Sequence, residues 1–107
     1  HTHLVTGGRL TPGAWVDAVA TRPAEIMGLQ DRKGRLAPGY DADIVLFDPA
    51  ARYSWEPLDR SDRPGSLWAG QPVTGAVRDV WLRGRQVVQG GRLVIDQPGG
   101  IFLPRQL

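Results

Sequence analysis

The stretch Asp43-Ile44-Val45-Leu46-Phe47-Asp48-Pro49 decides how the rest of the chain is read. Four consecutive apolar residues bounded by acids describe a β-strand, and an unbroken rather than alternating apolar run describes one covered on both faces. A strand of that kind needs partners. Downstream, Val77 to Leu82 and Arg85 to Val88 flank Arg83-Gly84 and read as a β-hairpin, after which Gly90-Gly91 leads into Leu93-Val94-Ile95. The expected sheet core is Ile44, Leu46, Val80, Leu82, Val87 and Val94. Gly39 and Gly84 fall at turn positions that suit a positive φ. Residues 50–75 are rich in proline and glycine and show no clear period. They are expected to form a long connection that covers the open face, anchored by Tyr53, Trp55, Leu67 and Trp68.

Upstream of the strand the pattern turns helical. Leu4 and Val5 precede a Gly7-Gly8 turn, and Thr11 then supplies a capping hydroxyl before Pro12, whose missing N–H costs nothing at a first helical position. Trp15, Val16, Val19 and Ala20 recur at helical spacing. Thr21-Arg22-Pro23 repeats the pattern of cap followed by proline and predicts a second short helix through Met27, ended by Gly28. At the other end, Ile101-Phe102-Leu103 stands between Gly100 and Pro104 and is expected to dock on another surface.

Composition bounds the function. At 107 residues the chain has room for one small domain and not for an α/β barrel of about 250 residues. With 41% hydrophobic and 22% charged residues it is ordinary for a folded domain, and Gly 14 with Pro 9 implies many turns. Thirteen basic against 11 acidic groups leave a formal charge of +2, too small an excess for a nucleic-acid stripe. Arg78, Arg83, Arg85 and Arg92, interrupted by Asp79, read as a solvated strand face. The absence of cysteine removes disulfides, thiolate metal sites and cysteine nucleophiles. No apolar run approaches the roughly 20 residues of a membrane span. No signal peptide is recognised, and the lack of cysteine leads to the expectation of a cytoplasmic location.

Few residues offer chemistry. His1-Thr2-His3 has the His-x-His spacing that lets two imidazoles on a strand share an ion, but no third histidine or cysteine accompanies it, and a terminal or helical pair is the favoured reading. Asp41 and Asp43 could in principle serve as acid and base. Their expected roles are structural, Asp41 ordering the turn after Gly39 and Asp43 opening the strand. Lys33, the only lysine, lies between Arg32 and Gly34 and is expected to be an exposed surface cation. No Ser-His-Asp set can be assembled when both histidines sit at one end. No residue is assigned a catalytic, cofactor-binding or metal-ligating role.

Thr21-Arg22-Pro23-Ala24-Glu25-Ile26-Met27-Gly28-Leu29, followed by Arg32-Lys33-Gly34-Arg35-Leu36-Ala37-Pro38-Gly39-Tyr40-Asp41-Ala42-Asp43-Ile44-Val45-Leu46-Phe47-Asp48-Pro49, resembles the C-terminal signature of the cyclic amidohydrolases. These are the hydantoinases/dihydropyrimidinases, allantoinases and dihydroorotases. Trp68-Ala69-Gly70 with Gly75, the hairpin from Val80 to Val88 and the run from Gly99 to Arg105 extend the resemblance over essentially the whole chain. The last of these is similar to hydantoinase-type tails.

The resemblance implies an α+β fragment, the last helices of a (β/α)8 amidohydrolase barrel followed by the C-terminal half of a β-sandwich. Residues 1–36 would be barrel helices and turn, 37–96 the sandwich segment, and 97–107 a docking tail. Such enzymes hydrolyse a ring amide with a metal-bridged hydroxide. Their binuclear zinc site draws on residues upstream of this segment, so no metal or other cofactor is expected in this chain. The implied partners are the missing barrel and the N-terminal sandwich strands, or a second copy of the chain, with neither nucleic acid nor membrane. A free-standing β-rich interaction or assembly module without enzymatic activity is the alternative.

Overall fold

Helix formation begins where Thr11 and Pro12 place it. In the computed structural model of the chain, which describes residues 1–56 and 68–106, the Ala14 N–H donates to Thr11 Oγ1 at 3.1 Å and Pro12 opens α1 (Pro12–Val16). The second cap does not form. Thr21 is itself helical (φ −65°, ψ −53°), and a π-helical turn over Asp17–Thr21 joins α1 to α2 (Arg22–Ile26) without a break. A wider turn of this kind relieves the hydrogen bond that Pro23 cannot donate. The Thr21 hydroxyl instead donates to the Gly34 carbonyl, tying the helix to the turn that follows it.

Gly28 ends the helix as expected. Its φ of +68° lets its own N–H reach the Glu25 carbonyl (3.0 Å) and the Leu29 N–H reach the Ala24 carbonyl (2.8 Å). This is the Schellman arrangement, open at little cost to glycine.

The strands form one antiparallel sheet in chain order, β1 (Ile44–Ser54), β2 (Pro72–Leu82), β3 (Arg85–Gln89) and β4 (Arg92–Leu93). The hairpin was correctly placed: Leu82 pairs with Arg85 across Arg83-Gly84, and both turn residues have positive φ, +48° and +80°. Gly39 also has positive φ, +89°. Arg83 is a costly occupant, since a left-handed conformation strains a residue with a Cβ by roughly 1–2 kcal/mol. Its backbone N–H donates to Asp43 Oδ1 at 2.8 Å, which offsets part of that strain.

Two features of the sheet differ from expectation. Strand β1 does not stop at Pro49 but continues to Ser54, and β2 begins at Pro72, so both ends of the expected covering connection are strand. Proline is tolerated because β1 lies at the sheet edge and the register slips between Asp48 and Arg52, with the Asp48 carboxylate accepting from the Ala50 N–H. Of the anchors, Tyr53 and Trp68 are exposed and Leu67 lies outside the described residues.

The core also differs. Among the described residues Ala24 is the only buried hydrophobic one. Ile44, Val80, Leu82 and Val87 are half-buried, while Leu46 and Val94 are 50% and 48% exposed. The apolar run of β1 is thus only partly covered: Phe47 packs against His1 and Trp15, whereas Val45 and Leu46 are exposed. The segment from Leu93 to Ile95 contributes only the short fourth strand, Arg92–Leu93, with the Val94 N–H still reaching the Val87 carbonyl at 3.0 Å.

Candidate functional site

Thr2 and His3 lie in a π-helical turn, Thr2–Thr6, with His1 at its N-cap, rather than in a strand. The two imidazoles separate instead of converging, His1 toward Trp15 and Phe47 and His3 toward Trp68. His1 packs against Trp15 (centroids 5.4 Å apart) and Phe47 (4.9 Å), and its Nδ1 lies 2.9 Å from the Thr74 carbonyl oxygen. Thr2 reinforces the junction by accepting from the Thr74 N–H and donating to the Thr74 carbonyl. His3 faces elsewhere, tilted against Trp68 at 5.8 Å. The pair therefore does not fit a metal ion. His1 is a packing residue that seats the helical segment on β1 and β2. Gly75 makes room for it, since a Cβ there would lie 2.7 Å from His1 Nδ1 and against the Phe47 ring.

An open cleft of about 370 Å³ adjoins this contact, lined by His1, His3, Trp55, Trp68 and Val73 among others. That volume is at the small end for ligand pockets. Its described walls carry no titratable side chain besides the two imidazoles.

Two clusters of charged groups stand out among the described residues, an exposed one of Arg22 with Asp17 and Glu25 and a less exposed one centred on Lys33. Far from being an exposed surface cation, its side chain is only 17% exposed, and its Nζ lies 2.7 Å from Asp41 Oδ2 and in contact with Asp43 Oδ2. A tight turn on the approach to β1, in which the Asp43 N–H donates to the Asp41 carbonyl at 2.8 Å, leaves both carboxylates on the side of the lysine. Arg32 adds two hydrogen bonds to Asp41 Oδ2, at 3.1 and 2.9 Å. Asp43 uses its other oxygen on the Arg83 N–H. The structural roles expected for the two aspartates are therefore met, and the lysine missing from that account joins them.

Electrostatics fixes the protonation states. Burial works against the charge of Lys33, but the hydrogen bonds to Asp41 and Asp43 outweigh it and hold its pKa above the ordinary lysine value. The bond from Lys33 lowers the Asp41 pKa against partial burial, with Arg32 assisting. For Asp43 burial again opposes, and Lys33 together with the Arg83 N–H prevails to lower it. At neutral pH the lysine is cationic and both carboxylates anionic. Their contacts tie the post-helix turn to the start of β1 and to the hairpin, so the cluster acts as a clamp. Among the described residues no three histidines, aspartates or glutamates are grouped to hold a metal.

This combination of a helical segment clamped to an antiparallel meander has clear relatives. The profile of the amidohydrolase family matches residues 3–88. The chain belongs to the amidohydrolase family. It is 39% identical to a D-hydantoinase of Ralstonia pickettii over 103 residues, which are 95% of this chain and 22% of that enzyme. A solved D-hydantoinase superposes with a TM-score of 0.83 at 36% identity, over 97% of this chain and 23% of that one. The L-hydantoinase (dihydropyrimidinase) of Arthrobacter aurescens gives 0.76 at 31%, over 88% and 21%. This amidohydrolase-family chain therefore spans about a fifth of the length of the relatives it matches. It is a small α+β piece with one antiparallel sheet, and among its described residues no helix is long and apolar enough to cross a membrane.

Proposed function

We propose that the chain is the C-terminal structural part of a metal-dependent cyclic amidohydrolase of the hydantoinase/dihydropyrimidinase type, which opens the ring amide of a hydantoin or dihydropyrimidine. Residues 1–36 act as the last barrel helices, 37–96 as half of a β-sandwich and 97–107 as a tail. The binuclear zinc centre and the substrate loops of the enzyme belong to other parts of it. The observation that carries this reading is the match of nearly the entire chain to only 22% of a D-hydantoinase.

The physical state of the surface supports it. Val45 and Leu46 of β1 are 55% and 50% exposed, and Val16, Val19 and Ile26 are exposed on the helical segment, so strands and helices alike present apolar area that a complete enzyme would cover. The barrel and the N-terminal sandwich strands are the proposed cover, and the cytoplasm the proposed location.

Zinc calorimetry combined with a hydantoin hydrolysis assay tests this on the 107-residue chain. No hydrolysis and no tight zinc binding are expected. A stoichiometric, sub-micromolar complex abolished by His3→Ala, or ring opening by the chain alone, would overturn the reading. Light scattering of the same sample addresses the rival, a free-standing module. Self-association at micromolar concentration is expected, and a monodisperse monomer with a cooperative melt favours the rival.

A further inference from the structure

The tail beyond β4 returns to the body of the chain at two points. Near its start, the Gly99 carbonyl accepts a hydrogen bond from Arg83 Nη2. Near its end, the Gln106 N–H donates to the Met27 carbonyl at 3.1 Å, at the C-terminus of the helical segment. The contact there is close: a Cβ on Gly28 would overlap the Gln106 carbonyl oxygen. Between these points Ile101 and Phe102 are 59% and 89% exposed, and of the tail's three bulky apolar residues Leu103 alone is half-buried.

We infer that residues 99–106 form a strap that couples the hairpin turn to the end of the helix, with Arg83 and Gly28 as its two fastenings. A segment with so little apolar burial between its ends is ordered by those ends, so releasing either one loosens the whole strap. Arg83 explains itself in this role. Glycine would be the unstrained residue at its positive φ, and what arginine adds is a side chain long enough to reach Gly99. Gly28 is constrained twice, by its φ of +68° and by the tail carbonyl packed on it.

Backbone ¹⁵N relaxation on the 107-residue chain tests the coupling. Order parameters of residues 100–106 are expected near about 0.8 and to fall below about 0.6 in Arg83→Gly, while the hairpin amides from Val80 to Val88 stay protected because glycine suits the turn. Gly28→Asn keeps a residue that tolerates left-handed φ but adds the Cβ. It is expected to loosen the same residues with Arg83 intact, and to leave the Leu29 amide protected. An unchanged tail in either variant overturns the strap, as does loss of the hairpin together with the tail in Arg83→Gly. A tail or hairpin already mobile in the unmodified chain overturns it too.

Discussion

Replacing Lys33 by methionine keeps most of the side-chain volume and removes the charge from a site where two carboxylates converge. Asp41 would retain Arg32, and Asp43 would retain only the Arg83 N–H. Two unit charges about 4 Å apart interact by roughly 4 kcal/mol at an effective dielectric of about 20. Here Lys33 has already paid for burial, and Asp41 and Asp43 keep 20% and 34% of their side-chain surface in water, so much of that is returned. The site falls between exposed pairs at about 0–1 kcal/mol and fully buried ones at about 3–5 kcal/mol, and Lys33→Met should cost about 2 kcal/mol. Urea unfolding followed by tryptophan fluorescence reads this directly. With a slope of about 1.5 kcal/mol/M the midpoint should drop by more than about 1 M. Asp43→Asn closes a double-mutant cycle with Lys33→Met, and a coupling of about 1 kcal/mol is expected. A midpoint shift below about 0.2 M with no coupling would refute the clamp and return Lys33 to the solvated surface.

The same cluster sets a pH window. The folded pKa values of Asp41 and Asp43 are lowered, so their contribution is full above the unfolded carboxylate range and is lost as pH falls through it, below about pH 4. That of Lys33 is raised, so its contribution is full below the unfolded lysine value and is lost as pH rises beyond about 10.5. Thermal melts should show a plateau between those limits and a flatter profile in Lys33→Met. Gly75→Ala combines strain at φ +99° with collision against Phe47 and His1 and should cost about 2 kcal/mol or more, seen as a lower urea midpoint; a neutral result would mean that the helical turn is not seated there. Leu46→Asp should cost the isolated chain less than about 1 kcal/mol, because Leu46 is 50% exposed, yet several kcal/mol in a complete enzyme that covers β1; equal costs in the two settings would contradict the proposed assembly.

Local signals were legible because their physics is local. Thr11 and Pro12 start a helix, Gly28 stops one and Arg83-Gly84 turns a hairpin through interactions that span only a few residues, and each was found where the residues pointed. The resemblance over residues 21–49 likewise needed no coordinates to indicate the family. Thr21 shows the limit of such reading. Its cap pattern is real, but its hydroxyl is drawn to Gly34, thirteen residues away, and the helix runs through.

The sequence by itself determined the first helix start, the hairpin and the turn glycines. Only the tertiary structure decided what the charged and aromatic side chains do. His1 and His3 diverge because a helical turn, not a strand, carries them. Lys33 is clamped because the turn after the helix folds back onto the start of β1 and brings it to Asp41 and Asp43. The open face of β1 was likewise beyond sequence. An apolar run states that a face wants cover, whereas the partner that supplies the cover depends on contacts distant in the chain or outside it, which no short stretch of residues encodes.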